Sequence, residues 1–581
     1  MTNQELAKIF QRISLFLAMR GVPFKPQAYE KVAFALESLA EDVGTIYTRD
    51  GRKGLAEIPG VGEGIAEKIE EYIKTGKIRL YEQERKRMPV DVEELTSLEG
   101  VGPKMVAELY RKLRIRNLKD LEKAAQAGKL KKLPRFGEKT ERNILQAIGF
   151  AKRREGRKLL GDIYPFVRDY ELLLKESGLV QQVAPAGSFR RQRETVGDID
   201  ILVTSKTPKN VIDYVLSHIP HEKLWGKGPT KISLRTTHGF DIDVRVLTPE
   251  NFGAGLQYFT GSKEHNVKLR TWAQERGYKI SEYGVFHKRK RIICETEEEL
   301  YHALGLPFIE PELREDQGEI EAALRQSHKK PPGLPKLISY DSLKGDLQVQ
   351  TDWTDGEHSI EEMAKEAKKQ GLEYITITDH TKDLAMTGGL DEKKIRLQMA
   401  AIDKAQKKVP GIRILKGAEV NIRKDGTLDV ANEALAKLDV VGISVHSLFK
   451  MSEKDMTNRI CRAMENPNAD ILFHPTGRLI NKREPYRIDM EKLMSTAKKT
   501  GTLLEINAFP ERLDLKDAHI RMAVEKGVRM VIDSDAHHKD HFRYLRYGIA
   551  QARRGWAEKK DIMNTLPLDK FLSSLKDRYH A

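Results

Sequence analysis

Two pairs of acidic residues are the first positions in this chain that could do chemistry. In GDIDILV (197–203), Asp198 and Asp200 stand two apart in a segment that alternates acidic and apolar residues. On a strand of that period both carboxylates project from one face. FDIDVRV (240–246) repeats the pattern, so Asp241 and Asp243 share a face and either could supply a third carboxylate. Three carboxylates form an oxygen cage suited to hard cations, and two Mg²⁺ held there could activate a 3′-hydroxyl and neutralise a triphosphate during in-line displacement. Ten residues upstream of the first pair, Gly187 and Ser188 offer backbone N–H groups and a hydroxyl to phosphates, and Arg190 and Arg191 add cationic partners.

A second set lies far downstream. Nine of the 16 His follow residue 340, many at the ends of short apolar segments. Cys294 and Cys461 are the only cysteines, too few for a disulfide framework or a cysteine-rich zinc site, so a metal must be held by imidazole and carboxylate. A third signal is a repeat: IPGVGEGIAEKI (58–69), LEGVGPKMVAEL (98–109) and a worn LPRFGEKTERNI (133–144), in which Arg135 replaces the first glycine. Each good copy is an apolar residue, Gly-x-Gly and a helix opening. The glycines permit a tight hairpin, and the helix start presents unpaired N–H groups to a phosphate. Gly60, Gly62, Gly100, Gly102 and Lys104 are therefore candidate contacts to a nucleic-acid backbone.

The elements that must position these groups differ along the chain. Apolar residues at three- and four-residue spacing (Leu6, Ile9, Ile13, Phe16; Ile65, Ile69, Tyr72, Ile73) predict an all-helical stretch over 1–150. Residues 155–250 mix helix with strand, and helix and loop signals resume to about 325. SHKKPPGLPKL (327–337) reads as a linker. Beyond it, ITIT (375–378), VVGISV (440–445), ILFH (471–474), LLEIN (503–507) and MVIDSD (530–535) alternate with helical segments, the rhythm of parallel β/α units and of a barrel with chemistry at its strand ends.

Charge narrows the partners. The formal net charge is +15, and residues 101–150 hold 13 Lys+Arg against 5 Asp+Glu, which favours a polyanion. No run of about 18 apolar residues exists, so no membrane span is expected. The first residues lack a signal-peptide layout, and the reducing cytoplasm is the expected compartment.

The order GSFRR (187–191), GDIDILV, DVRVLTP (243–249) and YFTGSKEHNVKLR (258–270) resembles the family X DNA polymerases, related to the eukaryotic repair polymerase beta. The resemblance covers residues 1–325 and identifies the glycine repeats as helix-hairpin-helix modules, which grip DNA without reading its sequence. In that family the aspartate of an Asp-x-Arg tripeptide is catalytic, so the resemblance selects Asp243 beside Asp198 and Asp200 and leaves Asp241 as a nearby charge. It further implies that Ser188 and Arg191 bind the β and γ phosphates of the incoming dNTP, that Tyr258, Phe259 and Gly261 pack against its sugar and base, and that Asn266 reaches its minor-groove edge. Arg270 would meet the template strand. Lys68 stands where the family often carries a Schiff-base lyase lysine, with Tyr29 matching a supporting tyrosine, although Gly64 replaces a further lysine of the well-known lyases.

Residues 341–581 resemble the polymerase and histidinol phosphatase (PHP) domain of prokaryotic family X enzymes, through TDH (378–380), GAEV (417–420), SVHS (444–447), FHPTGR (473–478) and DSDAHH (533–538). The resemblance implies a multinuclear Mn²⁺ or Zn²⁺ site on Asp355, His380, Glu419, His446, His474, Asp535 and His537. The sequence departs from the family at the first motif: Gln348 and Gln350 replace His-x-His, so fewer than three ions are expected. Asn421 also stands where an aspartate is common.

The expected architecture is therefore multidomain, α+β and α/β. A lyase-like helix-hairpin-helix domain spans 1–80, helical fingers 81–152, a nucleotidyltransferase palm 153–250, a thumb 251–325, a linker 326–340 and a β/α-barrel-like PHP domain 341–581. The expected function is template-directed gap filling in base-excision repair on gapped or nicked DNA. The protein would act as a cytoplasmic, nucleoid-associated monomer, with a weakened 3′-5′ exonuclease or abasic-site endonuclease. Competing readings are a silent PHP domain, an untemplated nucleotidyltransferase, and a DNA-end scaffold without catalysis.

Overall fold

The computed structural model describes residues 3–37, 43–58, 60–96, 98, 101–133, 136–138, 140–145, 148, 157–288, 290–384 and 387–575. Two compact units emerge: Met1–Arg157 with Asn266–Lys279, and Lys158–His265 with Ile280–Ala581. Among the described residues no helix is long and apolar enough to cross a membrane.

In the first unit the regular structure of residues 3–157 is helical, as the spacing predicts. Helix Asn3–Met19 serves two cores. Leu6, Phe10, Ile13 and Leu17 pack with Ala66 and Ile69 of helix Glu63–Thr75, whereas Phe16 and Met19 pack with Val106 and Leu109 of helix Pro103–Leu113. The glycine repeat is a geometric repeat as well. Gly62 and Gly102 cap their helices at φ −89°, ψ 169° and φ −87°, ψ 168°. The preceding turns close alike, Val61 N donating to Ile58 O at 2.9 Å and Val101 N to Leu98 O at 3.0 Å. Gly60 sits at φ +83°, a conformation open to glycine and strained for other residues.

The second unit opens with a five-stranded sheet in the order Gln182–Pro185, Asp198–Thr204, Asp241–Leu247, Lys231–Thr236, His221–Lys227. The two aspartate strands are adjacent and parallel. Ile199, Ile201 and Val203 point into a core shared with helices Leu160–Glu176 and Pro208–His218, which leaves Asp198 and Asp200 on the opposite face. Helix and loop alone were expected for 250–325, but Tyr278–Ser281, Gly284–His287 and Lys290–Ile292 form a three-stranded antiparallel sheet. These strands are only three or four residues long, so the alternation of Tyr278–Ser281 and the Val285-Phe286 pair are too brief to mark a strand.

The C-terminal part is a seven-stranded parallel barrel: Gly345–Val349, Tyr374–Ile377, Arg413–Asn421, Val440–Ser444, Ile471–Leu472, Leu503–Asn507 and Met530–Asp533 neighbour one another in chain order. A parallel bridge from Val349 to Ala536 joins last to first. One residue from every strand (Leu347, Tyr374, Leu415, Val440, Ile471, Leu503, Val531) meets in a cluster with Phe571, the arrangement of a barrel interior. The barrel is fused to the sheet domain rather than tethered to it. Leu513 and Tyr547 belong to the five-stranded sheet's apolar core, and Arg478 pairs with Glu194 at 2.7 Å. The connecting segment is fastened at its end, where Ile338 N donates to Ala557 O and Tyr340 Oη donates to Glu312.

Close packing makes one glycine a test of the barrel. A Cβ on Gly442 would lie 1.8 Å from the Phe473 ring, whereas one on Gly102 meets nothing within 4 Å. Gly442→Ala is expected to lower the unfolding free energy by about 1–3 kcal/mol, and Gly102→Ala by under about 1 kcal/mol, read from denaturant melts.

Candidate active sites

The sheet register builds the first site. Asp198 lies opposite Asp241, and Asp200 opposite Asp243. Periodicity alone leaves Asp241 and Asp243 equivalent, but neighbours from other strands separate them. Asp241 is buried and accepts hydrogen bonds from Trp225 Nε1 at 3.0 Å and Arg235 Nη1 at 3.1 Å, which spend its charge inside the sheet. Asp243 is more open and pairs with Lys231 at 2.6 Å and Arg245 at 3.4 Å. Burial first, then the charges of Asp198 and Asp243, push Asp200 up to about 6. A cluster of carboxylates that holds one of its members partly protonated fits divalent cations, whose charge would relieve that repulsion.

The groups expected to meet phosphates converge on the same strand. Ala186 N donates to Asp200 O at 2.8 Å, and a Cβ on Gly187 (φ +62°) would stand 3.4 Å from Asp200 Oδ2, so the Gly187–Ser188 turn lies against the carboxylates. Arg191 Nε donates to Glu315 at 3.0 Å and its Nη1 to the Thr260 carbonyl, beside Gly261. Arg190 turns the other way, to Thr260 Oγ1 and Glu297. Tyr258 and Phe259 meet edge to face at 5.1 Å, and the Arg245 guanidinium lies over Phe259 at 4.4 Å. Asn266 and Arg270, four apart on helix Lys263–Gln274, belong to the other compact unit, where Arg270 Nε donates to Asn266 O.

In the first unit Lys68 is half-buried on helix Glu63–Thr75, and its Nζ donates to Gly64 O at 2.6 Å. Tyr29 is buried and stacks on Phe10. Gly102 and Lys104 are exposed at a helix start; Gly100 and Arg135 lie outside the described residues.

At the barrel's strand ends two ligand groups form: Asp355, His380 and His537, and His380, Glu419 and His446. His474 Nε2 lies 2.9 Å from Glu419 Oε1. Glu419 is buried among imidazoles, and His380 and His446 hold its carboxyl well below its usual range. Asp355 likewise raises His537, to about 9. These imidazole and carboxylate groups could hold a metal ion, and His474 Nδ1 and Glu505 Oε1 are buried without a hydrogen-bond partner among the described residues. Asn421 orients His446 through a 2.7 Å bond to Nδ1, leaving Nε2 for Glu419, and donates to Asp429.

The substituted positions are occupied differently. Both glutamine amides donate to the same oxygen, Glu419 Oε2, from Gln348 at 3.1 Å and Gln350 at 2.9 Å. Asp535 stands outside both ligand groups, its Oδ2 taken by Arg512 at 3.1 Å and Asn507 at 3.1 Å. Arg512, Asn507 and Lys231 carry no local motif; only the fold brings them to these sites.

Comparison with known proteins agrees with this geometry. Family models match at residues 1–78 (helix-hairpin-helix domain), 92–149 (SAM-like helix-hairpin-helix tandem), 255–315 (DNA polymerase beta thumb) and 346–509 (PHP domain). The DNA polymerase/3′-5′ exonuclease PolX of Bacillus subtilis is 36% identical over 581 residues, covering 99% of this chain and 100% of the relative. The chain belongs to the family X DNA polymerases that carry a PHP domain. Probable phosphatases of Thermoanaerobacter sp. (strain X514) and Caldanaerobacter subterraneus subsp. tengcongensis match a part of it. They are 33% and 35% identical over 189 residues, 31% of this family X chain and 72% and 70% of the relatives.

The strained carboxylate of this family X polymerase predicts a stability signature. Asp200 is raised in the folded state, so its ionised form costs stability above about pH 6 and the cost fades as pH falls through that value. Without divalent cations, Asp200→Asn is expected to melt later than the unaltered protein at pH 8, by about 2–3 kcal/mol, with the gap narrowing toward pH 4. A constant gap in melts across that range would contradict it.

Proposed function

We propose that this chain is a template-directed DNA polymerase that fills short gaps during base-excision repair. It would act as a cytoplasmic, nucleoid-associated monomer on gapped or nicked DNA with an incoming dNTP. The observation that carries this reading is Asp200 crowded by Asp198 and Asp243 beside the Gly187–Ser188 turn. Asp198, Asp200 and Asp243 would hold two Mg²⁺, and the chemistry so supplied is activation of the primer 3′-hydroxyl and neutralisation of the triphosphate. Ser188 and the backbone at Gly187 bind the phosphates, and Arg191 adds a guanidinium to them. Arg245, stacked on Phe259 and within reach of both Asp200 and Asp243, fixes the carboxylates that face the cations. Tyr258, Phe259 and Gly261 shape the wall against the sugar and base, Asn266 reads the minor-groove edge, and Arg270 holds the template. Gly60, Gly62, Gly100, Gly102 and Lys104 of the glycine repeat grip the DNA backbone through main-chain N–H groups and charge. Lys68 is the candidate nucleophile for removal of a 5′-deoxyribose phosphate.

In the PHP domain, Asp355, His380, His537, Glu419 and His446 would hold Mn²⁺ or Zn²⁺ at fewer than three positions, with His474 adjacent. The chemistry supplied is activation of water for phosphodiester cleavage, a weakened 3′-5′ exonuclease or abasic-site endonuclease. The second reading, a PHP domain without catalysis, is favoured by one observation: the Gln348 and Gln350 amides and Arg512 already occupy Glu419 and Asp535.

Primer extension on gapped DNA tests the polymerase. Asp243→Ala is expected to reduce kcat at least about 10³-fold, and Asp241→Ala less than about tenfold; the reverse order would sink the assignment. For the PHP domain, Gln348→His with Gln350→His is expected to add one bound Mn²⁺ per chain by metal analysis and to raise 3′-end degradation roughly tenfold or more. Unchanged metal content would remove the glutamines as the cause of weakness.

A further inference from the structure

Arg554, the last residue of helix Leu545–Arg554 in the PHP domain, is buried at the joint with the polymerase domain. Its Nη1 donates to the main-chain carbonyl of Arg191 at 3.0 Å and to Glu315 Oε1 at 3.0 Å, and its Nη2 to Asp517 Oδ2 at 2.5 Å. The same Glu315 oxygen accepts from Arg191 Nε at 3.0 Å, and its partner oxygen lies 3.5 Å from Arg193. One thumb carboxylate is thus shared by guanidiniums from two domains. Arg554 and Asp517 add a neutral pair, so the surplus positive charge of the cluster is that of Arg191 and Arg193 over Glu315. What Arg554 contributes is position: held by Asp517 from the far side, it fixes the Glu315 oxygen and the Arg191 carbonyl, and so braces the Arg191 guanidinium.

We propose that Arg554 is a positioning residue for nucleotide binding: the PHP domain, through Arg554, Asp517 and Glu315, sets the aim of Arg191 toward the triphosphate. This rests on the reading of Arg191 as a triphosphate ligand. It gives the PHP domain a task in polymerisation that does not depend on metal or hydrolysis.

The test measures KM for dNTP, kcat and the Kd for gapped DNA on the full-length protein. Arg554→Lys keeps the charge and most of the volume but loses the three-way fork, so it serves even if Arg554→Ala fails to fold. Arg554→Lys and Asp517→Asn are expected to raise KM for dNTP about tenfold, with kcat within about threefold and DNA affinity unchanged. Arg191→Ala should raise KM further. Arg546→Ala removes a different contact at the same joint, a cation over the Tyr164 ring at 3.8 Å, and should leave KM alone. If Arg191→Ala raises KM and Arg554→Lys does not, the proposal is overturned while the reading of Arg191 stands. If Arg191→Ala leaves KM unchanged, that reading fails and the proposal with it. Equal KM effects from Arg546→Ala and Arg554→Lys would assign the change to the joint as a whole and overturn the role given to Arg554.

Discussion

Negative charge concentrated on one face of a sheet is the constraint on which the polymerase half depends. Parallel pairing in register sets Asp198 and Asp200 beside Asp241 and Asp243, and burial together with the charges of Asp198 and Asp243 raises the Asp200 carboxyl to about 6, so keeping it ionised without cations costs folding free energy. The fold answers unevenly. Trp225 and Arg235 quench Asp241 from within the sheet, whereas Lys231 and Arg245 only partly balance the others. What remains is a local excess of negative charge that weakens the folded protein and that a divalent cation would relieve.

The barrel meets a similar excess with imidazole. Glu419 is wrapped by His380, His446 and His474, which offset its charge, while His474 Nδ1 and Glu505 Oε1 stay without a hydrogen-bond partner among the described residues. At Gln348 the polar groups form a continuous network: Gln348 accepts from Asn507 and donates to Glu419, and Asn507 in turn donates to Asp535, which Arg512 holds; Gln350 donates to Glu419, but its Oε1 is buried without a hydrogen-bond partner among the described residues. Satisfied polar atoms are stable when buried, and unsatisfied ones are costly. Gln348 is therefore well accommodated in the barrel, and Gln350 only in part.

Much of this was legible in the sequence where the signal is local. Period-two alternation gave the aspartate strands, and the glycine repeat gave hairpins whose capping dihedrals agree within two degrees. The choice between Asp241 and Asp243 was not legible from periodicity, because Trp225 and Arg235 come from strands whose register no local pattern fixes. The barrel's first strand, Gly345–Val349, hid behind its polar residues: Asp346 and Gln348 are fully buried, as a sequence of alternating polar and apolar types does not suggest. The small sheet over 278–292 hid because its strands are too short for a period to show. Arg554 and Glu315 carry no motif and meet only through the packing of one domain on another.

The apolar core of the five-stranded sheet is completed from outside its own stretch of chain, by Leu513 and Tyr547. Cut off from the C-terminal part, the sheet would lose two buried side chains from its core, and Leu513 and Tyr547 would lose the apolar partners that keep them from water.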